Sequence, residues 1–134
     1  MEAIGQTSKD GREHDPSMEL FDTTQLALER AIQGAATRQT ALADNIANAN
    51  TPGYRRKDVD FHSALRGAME DKEELDSLTF SAQPDAGAQV RADGSGVDVD
   101  TEASYLAQAG LEYEALVTVA RGCIDVIQAA MQTS

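Results

Sequence analysis

The side chains able to do acid–base, nucleophilic or metal chemistry are few and scattered in this chain of 134 residues. The histidines are His14 and His62, and neither stands at metal-ligand spacing from another His, a Cys or a carboxylate pair. A structural or solvated role suits both. Cys123 is the single cysteine. It can form no internal disulfide, and with no base assignable to it, it reads as a small core residue rather than a nucleophile. The stretch Asp93-Gly94-Ser95-Gly96-Val97-Asp98-Val99-Asp100 has the acid and glycine content of a calcium loop but lacks the Glu at the twelfth position. A flexible turn ending in a helix cap is the simpler reading. The basic run Arg55-Arg56-Lys57 suits an acidic partner surface or a solvated loop equally. These residues point to no enzyme activity, no cofactor and no metal.

Composition narrows the rest. Aromatic residues are 4% of the chain, with no Trp, and apolar residues are 41%. A core made of Leu, Ile, Val and Ala favours helices over a β-sandwich or barrel. The net charge of −12 repels phosphate backbones, so nucleic acid is an unsuitable partner. No run of about 18 apolar residues is present, which argues against insertion in a membrane. The first residues have no basic and then apolar segment, so no Sec-type signal peptide is expected.

Two segments carry helical periodicity. In the first, Asp22 and Gln25 have capping-box spacing, with Phe21 and Leu26 as a hydrophobic staple. Phe21, Leu28, Ala35, Leu42 and Ala49 recur every seven residues, and Gln25, Ile32, Gln39 and Ile46 form a second row. This predicts a helix from about Asp22 to about Ala49. Asn48, Asn50, Pro52 and Gly53 then end it, and Thr51-Pro52-Gly53-Tyr54 fits a type II turn. In the second segment Leu106, Tyr113, Ala120 and Ile127 form one row and Ala109, Leu116, Cys123 and Ala130 the other. Asp98 or Asp100 can cap its start. Between the two helices no period is visible, and this segment is expected to order only against a partner. The resulting division is a disordered tail over 1–16, a heptad helix and turn over 17–53, an irregular middle over 54–98 and a second heptad helix over 99–134.

The expected fold is therefore all-α: two long amphipathic terminal helices in a coiled-coil-like antiparallel pair, with an irregular polar middle. Leu28, Ile32, Leu42 and Ile46 should face Leu106, Tyr113, Leu116 and Ile127. Two helices cannot cover stripes this wide, so the core must be completed by assembly. Asn48, Asn50, Pro52, Gly53 and Tyr54 would set the angle at which the chain leaves the first helix and meets a neighbour.

The segment Ala41–Phe61, ALADNIANANTPGYRRKDVDF, resembles the signature of the bacterial flagellar axial proteins, the rod, hook and hook-associated family. RRKDVDF at 55–61 and GVDVDTE at 96–102, followed by a C-terminal heptad helix, are similar to its proximal-rod members. The short middle agrees with that, since distal members carry large insertions there. The resemblance implies a non-enzymatic structural subunit of the basal-body rod, located across the periplasm and required for motility. It implies partners among copies of itself, other rod and basal-body proteins, and the flagellar type III export apparatus that would carry it out without a cleaved signal. A small acidic helical adaptor or secretion chaperone is the alternative from another class.

Overall fold

The computed structural model describes residues 15–90, 92, 94 and 96–133. Residues 1–14 of the expected tail, His14 among them, lie outside the described residues, as do Asp93 and Ser95 of the acidic stretch, while Asp15 and Pro16 belong to the start of α1 rather than to a disordered tail. Two long helices dominate: α1, Pro16–Ala47, and α4, Val99–Gln132. Between them lie β1 (Lys57–Asp58), α2 (Phe61–Ala68), α3 (Lys72–Ser77) and β2 (Gln83–Pro84). At 1.5 Å per residue the long helices are each roughly 50 Å.

α1 starts earlier than the capping-box pattern predicts. Pro16 occupies the first turn, where its missing N–H costs nothing. The Asp15 carboxylate accepts from the Ser17 amide at 2.9 Å and the Ser17 hydroxyl at 2.6 Å. Asp22 and Gln25 therefore sit inside the helix, and Phe21 is 51% exposed rather than stapled. The helix stops at Ala47, with Asn48 as its cap. Asn48 has φ −102°, so it closes the helix without a left-handed residue. Its Nδ2 donates to the Asp44 carbonyl at 2.9 Å instead. Gly53 takes φ +76°, and the Tyr54 amide donates to the Thr51 carbonyl at 3.1 Å, as a type II turn requires.

α1 and α4 run antiparallel. The C-terminal part of α1 meets the start of α4 through Asn45 and Glu102. At the other end Leu20, Leu28 and Ile32 share a groove with Cys123, Ile124 and Ile127. α4 is capped by Asp98, whose carboxylate accepts from the Asp100 and Thr101 amides.

The middle segment departs from expectation. It orders against α1 of its own chain, not against a partner. Val59, Phe61, Leu75 and Val97 are buried. Their spacing is too irregular to show a period, yet each is an anchor. Phe61 lies in a cluster with Ala35, Ala41 and Val59, with Phe80, Ala82, Tyr113 and Leu116 packed around it. Short α3 is held at both ends. Asp71 accepts from the Glu73 and Glu74 amides, and Arg30 of α1 donates to the Leu75 and Asp76 carbonyls at 3.1 and 2.6 Å. β1 and β2 form a two-residue antiparallel ladder, Lys57 opposite Pro84 and Asp58 opposite Gln83.

The small residues of α1 permit this packing. A Cβ on Gly34 would lie 2.6 Å from Cβ of Phe61 and 2.7 Å from its Cγ. These are the atoms nearest the Phe61 backbone, so rotation of the ring gives no relief. In an exposed helix Gly→Ala stabilises by about 0.8–1 kcal/mol. Here Gly34→Ala should destabilise the chain by about 1–3 kcal/mol through overpacking. Urea unfolding checks the sign; a stabilised variant would show that Phe61 does not seat on Gly34.

Candidate functional site: a buried clasp and an open helix pair

The polar centre of the molecule is a clasp between the C-terminal part of α1, the segment 54–58 and the start of α4. Asn45 has no exposed surface. Its carboxamide uses both donor hydrogens and both acceptor positions. Nδ2 donates to the Lys57 carbonyl at 2.7 Å and to Glu102 Oε2 at 3.0 Å. Oδ1 accepts from the Lys57 amide at 3.0 Å and from the Tyr54 hydroxyl at 3.1 Å. The side chain thus pairs with the Lys57 backbone as a neighbouring strand would. Neither Asp nor Ala can make the same set.

Glu102 is 1% exposed and forms an ion pair with Arg56 Nε. Arg56 also reaches Asp85 at 2.7 Å and Asp58 at 3.1 Å, and its guanidinium lies 5.3 Å from the centre of the Tyr105 ring. Asp58 turns its other oxygen to Arg38 of α1 at 3.0 Å. Two guanidinium groups therefore face three carboxylates. Burial alone would lower the Arg56 pKa, but the hydrogen bonds it donates to Glu102 and Asp58 carry it above the ordinary value. Burial likewise pushes Asp58 up, and is outweighed by its bonds to Arg38, the Val59 amide and Arg56, which hold it below the usual carboxylate range. Burial, with Asp44 and Glu102 nearby, raises Tyr54.

Every polar group of the clasp is tied to another, and the clasp joins three chain segments. Of the basic run, Arg55 and Lys57 are exposed and Arg56 is buried inside the chain. Both expected readings of the run, partner surface and solvated loop, thus fail for Arg56. His62 stacks on Phe61 and pairs with Glu112 of α4. Cys123 is half-buried in the groove wall. Among the described residues, no three His, Cys, Asp or Glu side chains cluster to hold a metal. Among the described residues, no helix is long and apolar enough to cross a membrane.

The residues expected at an assembly interface fall into three places. Leu42 is fully buried, and Tyr113 and Leu116 pack on the Phe61 cluster, all within one chain. Ile46 and Leu106 are half-buried. Leu28, Ile32 and Ile127 line the open groove, of about 290 Å³, with Leu20 and Phe21 at its mouth. Asn50, Pro52 and Gly53 are exposed in the turn, while Asn48 and Tyr54 are half-buried. Arg38, Arg56, Asp58, Asp85 and Glu102 were not foreseen as a set. Arg56 and Asp58 fall in the segment 55–61 and Glu102 in 96–102, whereas Arg38 and Asp85 fall in neither.

The arrangement defines a class: a helical hairpin with a clasped end and an apolar open end. A family described as "Flagella basal body rod protein" matches residues 26–55. The chain is 34% identical to the flagellar basal body rod protein FlgB of Escherichia coli (strain K12) over 123 residues, covering 75% of this chain and 89% of that one. It is 30% identical to FlgB of Bacillus subtilis (strain 168), covering 85% and 97%, and 33% identical to that of Salmonella typhimurium, covering 75% and 89%. The chain belongs to the flagellar basal body rod protein family.

Two outcomes test the clasp. Glu102→Ala leaves the buried Arg56 without its main partner and should cost about 3–5 kcal/mol in urea unfolding. A loss under about 1 kcal/mol would mean that the pair behaves as a surface one. The second concerns acid. Since Asp58 is held below its ordinary value in the folded chain, the unfolded chain takes up that proton first as pH falls. Its contribution is whole above the ordinary carboxylate range and is lost as pH drops through the folded value. Asp58→Asn should flatten the stability profile below about pH 5. An unchanged slope would remove Asp58 from the clasp.

Proposed function

We propose that this chain is a structural, non-enzymatic subunit of the proximal rod of the bacterial flagellar basal body. The observation that carries the reading is the similarity to FlgB proteins over 89% and 97% of their own lengths. The physical form supports it. The open end of the α1–α4 pair leaves Met18 and Leu20 68% exposed and Met131 73% exposed, beside a groove that no other part of the chain fills among the described residues. Exposed apolar surface of this kind is stabilised by packing against other helices. The partners are other rod and basal-body proteins and copies of this chain, and the export apparatus delivers it to the periplasmic rod.

In this reading Leu28, Ile32 and Ile127 meet neighbouring helices, and the turn Asn48–Tyr54 aims the clasp segment. Gly53 tests the turn cleanly, because a Cβ there meets nothing within 4 Å and only the backbone is strained. Gly53→Val should cost on the order of 1 kcal/mol in the isolated chain. The variant should still be exported and should fail to enter isolated hook–basal bodies, with loss of swimming. Normal incorporation would show that the turn is a plain connector. Wild-type chain found only in the cytoplasm, and absent from hook–basal bodies, would favour the adaptor or chaperone and overturn the rod reading.

A further inference from the structure

The open groove between α1 and α4 is shaped for a helix. Leu20, Phe21, Leu28 and Ile32 form its α1 wall, and Ile124 and Ile127 its α4 wall. The rise from Leu20 to Ile32 is roughly 18 Å, about three helical turns. Both walls are helices, whose backbone groups are paired along their length. An extended segment laid between them would bury its own amides and carbonyls without partners. A helix carries no such cost, and its side chains interleave with rows spaced one turn apart.

Along the α1 edge of the groove the charge is of one sign. Glu29 lines the groove, and Asp22 stands seven residues earlier on the same flank of the helix. Both are exposed, and neither has an ion-pair partner among the described residues. From Pro16 to Glu29, α1 has no Lys or Arg. Arg30 comes next and is turned away, to the Leu75 and Asp76 carbonyls. On α4, Arg121 and Asp125 stand four residues apart and offset each other. We infer that the groove takes a helix of a different protein, about three turns long, whose apolar row is flanked by Lys or Arg on the side that meets α1. A second copy of this chain has the wrong sign. Arg121 is the one Lys or Arg of α4, and Arg30 and Arg38 of α1 are tied within the chain, so neither long helix offers a basic flank. This rests on the reading of the groove as an assembly surface, and adds the kind of neighbour that it selects.

Fluorescence anisotropy of two labelled synthetic peptides with the full chain tests this. Both are Ala-rich helices of about 15 residues with the same row of leucines, and they differ only in their flanks, Lys in one and Glu in the other. The Lys peptide should bind roughly tenfold more tightly, and the gap should narrow as salt is raised. The variant D22K/E29K, changed at two exposed positions, should invert the preference with unchanged helical circular dichroism. The variant E70K/E73K makes the same change in net charge away from the groove and should keep the wild-type preference. Ile127→Glu, in the apolar wall, should remove binding of the Lys peptide. Equal affinities, no binding of either peptide, a preference unmoved by D22K/E29K, the same inversion in E70K/E73K, or binding indifferent to Ile127→Glu would each overturn the inference. So would a dimer of the chain alone that Ile127→Glu abolishes, since the groove would then belong to a second copy. Incorporation of the wild-type chain into hook–basal bodies is read separately, so a failure of the peptides and a failure of the rod reading are told apart.

Discussion

The structure depends on keeping one charged carboxylate, Glu102, out of water. A buried ion is tolerable only when its partners are fixed around it, and a pair of this kind specifies geometry more than it adds stability. Arg56 and Asn45 meet that demand from two different segments. Together they fix how far α1 and α4 slide along each other, since moving either helix by a turn would strand the charge. The apolar rows cannot do this alone. Alanine-rich heptads accept several registers at similar energy, whereas a carboxylate accepts one.

The same clasp gives the middle segment its place. Asn45 holds Lys57 by both backbone groups, and Arg56 reaches forward to Asp85. Phe61 then falls onto Gly34, and Arg30 closes the end of α3. No part of this segment has enough apolar surface to fold by itself. It is ordered by being tied at successive points to a helix that is already there. The chain is thus well specified at one end and in the middle, and loosely covered at the other end.

How much of this was legible depended on whether the signal was periodic. The two long helices, their antiparallel course and the Pro-Gly turn came from heptad rows and turn chemistry, which are local. The capping-box pattern at Asp22 and Gln25 imitates a helix start, while Asp15-Pro16 is the stronger cap and precedes an amphipathic pattern that begins weakly. The middle shows no period in the sequence because its anchors are single residues: Phe61 lies in α2 and Leu75 in α3, while Val59 and Val97 lie outside any helix or strand. The clasp was missed for a related reason. Arg56 stands between exposed Arg55 and Lys57, and Glu102 stands among acids that suit any helix start. Only contact across 46 residues distinguishes them from their neighbours.

The position of the clasp also has a consequence for the order in which the chain closes on itself. Asn45 and Glu102 are 57 residues apart in sequence, whereas Leu20 and Ile127, at the open groove, are separated by nearly twice that. Closing the longer loop from an unfolded chain costs about 0.6 kcal/mol more for each doubling. Once the clasp has formed, the remaining contacts extend it one turn at a time. The hairpin therefore zips from the turn towards its termini. Its open end is the last part to form and the first to fray, so any other helix that competes for α4 competes against the weakest contacts in the molecule.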